Sequence, residues 1–133
     1  MANMAASTRF LNVDLDLAGP VDLAPLLAAL ARTTVVLRHE VGAEGEIASL
    51  ELLRGPATVE EALRGFAAIV RRLPRPARAA WEQLTTRALD VGVQPGAEPH
   101  MFQLAASAEA LAGIAEVGMA LVVTVYGVDE SSV

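Results

Sequence analysis

Hydrophobic and polar positions alternate along the first regular stretch of the chain. From Phe10 to Leu17, Leu11, Val13, Leu15 and Leu17 fall on one face, and Phe10, Asn12, Asp14 and Asp16 on the other. A period of two predicts a half-buried strand, and Gly19-Pro20 ends it. The period then becomes helical, with Leu23, Leu26, Leu27 and Leu30 at the i, i+3, i+4, i+7 spacing of one buried face. Asp22 is placed to cap this helix, Pro25 fits its first turn, and Val21 can staple onto Leu26. Thr34 to Val41 and Glu46 to Arg54 are extended runs around Gly42-Ala43-Glu44-Gly45, which reads as a β-hairpin. Thr58-Val59-Glu60-Glu61 has the form of a capping box, followed by a core stripe of Leu63, Phe66, Val70 and Leu73. Pro74 and Pro76 interrupt that helix, and helical spacing resumes from Ala77 to Arg87. Leu89, Val91 and Val93 then alternate with Asp90, Gly92 and Gln94 as a fourth strand.

The closing stretch, Phe102 to Val128, reads as a short strand, a helix and a long final strand. Ser107 can cap the helix and Gly118 can supply the left-handed residue that ends it. Met119 to Val128 is the most continuous apolar run in the chain, with one Thr in it. Such a run predicts a strand near the middle of a sheet, covered on both faces. The order is β-α-β-β-α(α)-β followed by β-α-β. It predicts an α+β fold: a ferredoxin-like (split βαβ) mixed or antiparallel sheet with helices on one face and a C-terminal βαβ extension. One domain is expected at 9–128, between loose tails at 1–8 and 129–133.

The segment FQLAASAEALAGIAEVGMALVVTVY resembles the close of a family of small bacterial domains of unknown function, number 4279. There, a helix of similar pattern leads into a strand ending in an Asp-x-Tyr or similar. The opening RFLNVDLDLAGPVDLAPLLAAL is similar in plan to that family's first strand and helix. Thr124 stands where the family often has an acidic residue. The resemblance implies the fold and a bacterial origin, and it carries no catalytic residue.

Composition changes the picture in three places. The chain is 53% apolar but only 4% aromatic, and every basic side chain is Arg, a bias expected of a GC-rich bacterial genome. A mean hydropathy of +0.42 is high for 133 residues, which favours a homodimer or another buried partner surface over a solitary monomer. A net charge of −6 argues against nucleic acid as a partner, which needs a basic stripe. The absence of Cys removes disulfides, thiolate nucleophiles and Cys-ligated zinc. Neither a signal peptide nor a membrane span is legible, so a cytoplasmic protein without membrane association is expected.

Candidate chemistry is sparse. Asp14 and Asp16 point to one face of a strand and could ligate a divalent cation; a solvated half-open sheet is the simpler account, so no metal and no cofactor are expected. His39 falls on the face of Val35, Leu37 and Val41, while His100 follows Pro99 at a loop end, a better place for function. Neither belongs to a metal or catalytic motif, and no nucleophile elbow or phosphate loop exists. Ser107 is explained by capping. Arg64, Arg71, Arg72, Arg75 and Arg78 fall within fifteen residues and could form an anion or acidic-partner patch. Helices over Leu11, Val13, Leu121, Val123 and Val125 would leave a second sheet face with Asn12, Asp14, Asp16, Arg38, Glu40, Asp90, Gln94, Thr124 and Tyr126, joined by Phe10, Val122 and Val128.

These features favour a non-enzymatic bacterial protein-interaction module, of the immunity or regulatory kind, working through the open sheet face or the Arg patch. The alternative is a homodimeric domain that binds a small-molecule ligand, an inference from fold analogy. A metal-dependent hydrolase using Asp14, Asp16 and His100 ranks last.

Overall fold

The computed structural model describes residues 7–127. Nine elements follow in order: β1 (Arg9–Gly19), α1 (Ala24–Leu30), β2 (Thr34–Gly42), β3 (Gly45–Leu52), α2 (Val59–Arg71), α3 (Arg75–Gln83), β4 (Thr86–Gln94), α4 (Ala108–Glu116) and β5 (Ala120–Val125). The strands form one sheet in the order β2-β3-β1-β4-β5. β1 pairs antiparallel with β3 and β4, β2 antiparallel with β3, and β5 parallel with β4. The architecture is α+β with a mixed five-stranded sheet and four helices, as the alternation of periods predicts.

β1 is the centre of the sheet, and its alternation decides where the core lies. Val13, Leu15 and Leu17 are fully buried, with Leu50 and Ala48 of β3 and Leu89, Val91 and Val93 of β4 beside them. Against this face pack Leu26 and Leu30 of α1, Leu63, Phe66 and Val70 of α2, Trp81 of α3 and Ile114 of α4, in one continuous cluster. Burying a single Leu or Phe side chain contributes about 1.5–3 kcal/mol, so this one face accounts for most of the stabilisation.

The helix ends follow their local chemistry. Thr58 Oγ1 accepts the Glu61 amide at 3.1 Å, but the Glu61 carboxylate takes the Ala57 amide at 2.9 Å instead of closing the box on Thr58. Ser107 Oγ accepts the Ala110 amide at 3.0 Å, and Gly118 ends the helix region with φ +80°. Leu23, not Asp22, is the N-cap of α1; Asp22 Oδ1 accepts the Ala24 amide at 2.9 Å from one position earlier. The hairpin is closed by Ala43 and Glu44, and a Cβ on Gly45 (φ +136°) would collide with the Gly19 carbonyl at the end of β1.

Four expectations are corrected. α3 stops at Gln83 and does not reach Arg87, because the chain extends at Leu84 and pairs with β1 through Thr85 N–H to Ala18 O at 2.9 Å. Arg87 lies in β4, where its guanidinium donates to the carbonyls of Trp81, Leu84 and Gly118 at 2.9–3.3 Å and lies over the Trp81 ring. The short strand at Phe102 is absent; one side of β4 is taken by β1 and the other by β5, so the C-terminal unit is β4-α4-β5. β5 sits at the sheet edge, not its middle, and its apolar side chains are exposed on both faces.

The fourth correction concerns bulges. An irregularity between Phe10 and Asn12 pairs Phe10 with Val93, so Phe10 packs against the core and Leu11 is exposed beside Gly92. A second, between Val36 and Arg38, separates Val35 from the face of His39 and Val41. Of the expected tails, residues 1–6 and 129–133 lie outside the described residues, as does Val128. Thr8 is described: its amide donates to Glu98 O at 2.6 Å, its hydroxyl donates to Gly96 O at 3.0 Å, and the Gly96 amide donates to it at 2.9 Å.

Trp81 joins α3 to the end of α4 by donating Nε1–H to Val117 O at 2.9 Å. Trp81→Phe keeps most of the ring and removes the donor from a buried site. It should lower unfolding free energy by about 1–3 kcal/mol in urea denaturation, with an unchanged m-value.

Candidate functional site on the open sheet face

Beyond the bulge at Phe10–Asn12, the side chains of Asn12, Asp14 and Asp16 project from the face of β1 that carries no helix. Register brings Asp14 opposite Glu51 of β3 on one side and opposite Asp90 of β4 on the other. Three carboxylates thus stand in one cross-strand row in the middle of the sheet. Directly opposed side chains have Cβ atoms about 4.5–5.5 Å apart, and like charges there destabilise the sheet. Asp16 lies two residues along β1, opposite Ser49.

Neutral donors hold the flanks of this row. Asn12 Nδ2 donates to Glu51 Oε2 at 2.6 Å and approaches Asp14 Oδ1 at 3.4 Å. Ser49 Oγ donates to Asp16 Oδ1 at 2.8 Å, and Thr124 Oγ1 to Asp90 Oδ1 at 2.6 Å. No cation is paired with the row among the described residues. Burial pushes the Asp14 carboxyl up to about 6, reinforced by the charges of Asp16, Glu51 and Asp90. Its apolar border is Leu11, Val122 and Tyr126; the Tyr126 ring lies over Gly92, its Cε2 3.4 Å from where a Cβ would stand.

The structure therefore brings Asn12, Asp14, Asp16 and Tyr126 onto one face, with Asp90 and Thr124. Glu51 and Ser49 complete it and were not singled out in the sequence. Their alternation with Leu50 and Leu52 was visible, but only the β1–β3 register shows that Glu51 faces Asp14. Among the described residues, no group of three His, Asp or Glu is arranged to hold a metal ion.

The arginines lie on the helix side, and three of the five are engaged with the chain's own groups. Arg64 Nε pairs with Glu60 at 2.6 Å and its Nη2 approaches Glu109 at 3.6 Å. Arg71 pairs with Glu116 at 3.4 Å, and Arg78 donates to the carbonyls of Val70 and Arg71 at 2.9 and 3.0 Å, closing the end of α2. Arg72 and Arg75 remain exposed at the α2–α3 junction. His39 pairs with Glu46 at 2.7 Å on β2 and β3, and His100 is exposed in the loop before α4, away from the carboxylate row.

Glu60 has a second role. Its Oε1 accepts the Ser107 amide at 2.7 Å and its Oε2 the Ser107 hydroxyl at 2.8 Å, so one carboxylate joins the start of α2 to the start of α4. These two bonds, with Arg64, hold its pKa below the ordinary value.

No family model, curated protein or solved structure matches the chain. The functional reading therefore rests on the site itself.

The two carboxylates have opposite linkage to pH. Asp14 binds its proton more tightly when folded, so its penalty is absent below the ordinary value of 3.8, grows as pH rises, and is complete above about 6. Asp14→Asn should raise the melting temperature at pH 7.5, and the gain should vanish near pH 4. Glu60 contributes stability that is fully present above its ordinary value of 4.5 and is lost as pH falls through its lower folded value. Glu60→Gln should lower the melting temperature at pH 7.5, with the difference closing in acid; thermal melts across that range check both signs.

Proposed function

We propose that this chain is a non-catalytic protein-interaction module, of the immunity or regulatory kind, whose open sheet face receives a basic protein partner. The observation that carries the reading is the cross-strand row of Glu51, Asp14 and Asp90 without a cation of its own. Free, the row costs stability; a partner's guanidinium or ammonium group placed over it converts that repulsion into attraction. Leu11, Val122 and Tyr126 supply apolar contact at its border, and a mixed face of this kind is typical of protein interfaces. The acidic net charge adds long-range steering toward a basic partner.

The strand order β4-β1-β3-β2, with β1 and β2 on either side of β3, supports reading the first six elements as ferredoxin-like. The resemblance to the unknown-function family is consistent with that plan and assigns no residue a role. The hollow on the open face beside Asp16, Arg38 and Ser49 is about 220 Å³, below the roughly 300–1,000 Å³ of small-molecule sites. A wider, open hollow of about 910 Å³ lies at the hairpin end, near Gly19, Glu40 and Thr85, away from the carboxylate row. A protein surface suits the flat face better than a small ligand does.

The test is capture from a lysate of the source cell, with the wild-type chain and two double variants as bait. Asp14→Asn with Asp90→Asn should lose a stoichiometric partner, whereas Arg72→Ala with Arg75→Ala should retain it. Raising salt until the Debye length falls from about 10 Å to 3 Å should weaken capture. The reverse pattern, loss with the arginine variant alone, would move the interface to the α2–α3 junction and sink this reading.

A further inference from the structure

We propose that β5 is a self-association edge: two copies join β5 to β5, antiparallel, across a two-fold axis, to form one continuous sheet. This contact shares Val122 and Tyr126 with the border of the acidic face, but it rests on the β5 edge and does not depend on a partner over the carboxylates. β5 ends the strand order, with no strand beyond it among the described residues. Its sequence, ALVVTV, has no charge and no Pro, and its register with β4 runs unbroken from Ala120 to Val125. An edge of that kind is a template for another strand.

The opposite edge shows what protection looks like. β2 also exposes apolar side chains, yet it carries Arg38, His39 and Glu40 in succession, an Arg38–Glu40 ion pair at 2.6 Å, and a bulge between Val36 and Arg38. Charges and bulges are the devices that discourage edge pairing. β5 has none of them.

The exposed area points to a second copy. Leu121, Val123 and Val125 lie on the helix side at 40%, 56% and 61% exposure, and Val122 on the open side at 44%. Covered completely by a second copy, these side chains and Tyr126 would bury on the order of 1,000 Å² over the two chains, the lower bound of a specific interface. An uncharged strand is complementary to itself. For two identical antiparallel strands the axis stands perpendicular to the sheet, so both helix layers stay on one side. A register centred on Val123 sets that residue against its symmetry mate and Leu121 against the partner's Val125. The carboxylate rows do not oppose this. Asp90 of each copy is separated by three strand spacings, roughly 14 Å, which exceeds the Debye length of about 8 Å in physiological salt.

The measurement is the solution mass of the full chain, by light scattering or sedimentation, at tens of micromolar. The wild type should run at twice the 13.9 kDa of one chain. Val123→Arg should halve that mass while retaining the far-UV circular dichroism of the wild type, and Val41→Arg, on the β2 edge, should leave the dimer intact. Because the protein has no Cys, Val123→Cys adds a single thiol, which should form an inter-chain disulfide under mild oxidation where Val41→Cys does not. A monomeric wild type overturns the proposal, as does a dimer dissolved by Val41→Arg but not by Val123→Arg. Dimerisation that appears only after residues 128–133 are removed assigns the edge to the chain's own C-terminal segment instead.

Discussion

Two carboxylates in the central strand constrain everything built around them. Asp14 and Asp16 alternate with Val13, Leu15 and Leu17, and β1 is hydrogen-bonded on both sides, so one face of the sheet's middle must remain in contact with water or with a polar partner. A second helix layer would bury unpaired charge at a cost of several kcal/mol per ion, more than any one packed side chain returns. All four helices therefore share the other face. The single core, the long row of acidic groups and the position of every helix follow from that alternation.

The helix layer is held by polar contacts at its ends as much as by its apolar stripe. Arg87 reaches three carbonyls at the ends of α3 and α4 from the start of β4, and Trp81 bonds the last turn beyond α4. Arg78 closes α2 from the next helix, and Glu60 joins two helix beginnings through Ser107. Five of the ten arginines in a chain without Lys, Arg38, Arg64, Arg71, Arg78 and Arg87, are thus engaged with carbonyls and neighbouring carboxylates. On the open face, Arg38 is paired with Glu40, and the carboxylate row keeps no cation of its own among the described residues.

Much of this fold was legible from periodicity. The strand at Phe10 to Leu17, the Gly42–Gly45 hairpin, the Thr58 and Ser107 caps and the Gly118 helix end all come from rules that operate within a few residues. What was not legible depends on pairing. The bulge at Phe10–Asn12 reversed the faces of Phe10 and Leu11, and no local pattern marks it. The apolar run of β5 has the pattern of a central strand because doubly covered strands and unprotected edge strands are both continuous in sequence; only strand order separates them. The acidic row was half visible, since Asp14 and Asp90 lay on one predicted face, while Glu51 required the register between β1 and β3.

The Glu60–Ser107 bridge has a bearing on how the molecule comes apart. The four strands β2-β3-β1-β4 make a complete antiparallel unit, and α4 with β5 is joined to it by one parallel ladder, by Ala110, Ile114 and Met119 in the core, by the Trp81 and Arg87 contacts and by this carboxylate. The last quarter of the chain is therefore joined to the sheet on one side only, and its detachment would leave four strands paired with part of their core uncovered. Opening at that seam uncovers the outer edge of β4, where Asp90 lies on the same flank as β1's carboxylates. Pairing on one side favours the C-terminal unit as the first part to open, and pairing on both sides favours the Asp14 strand as the last.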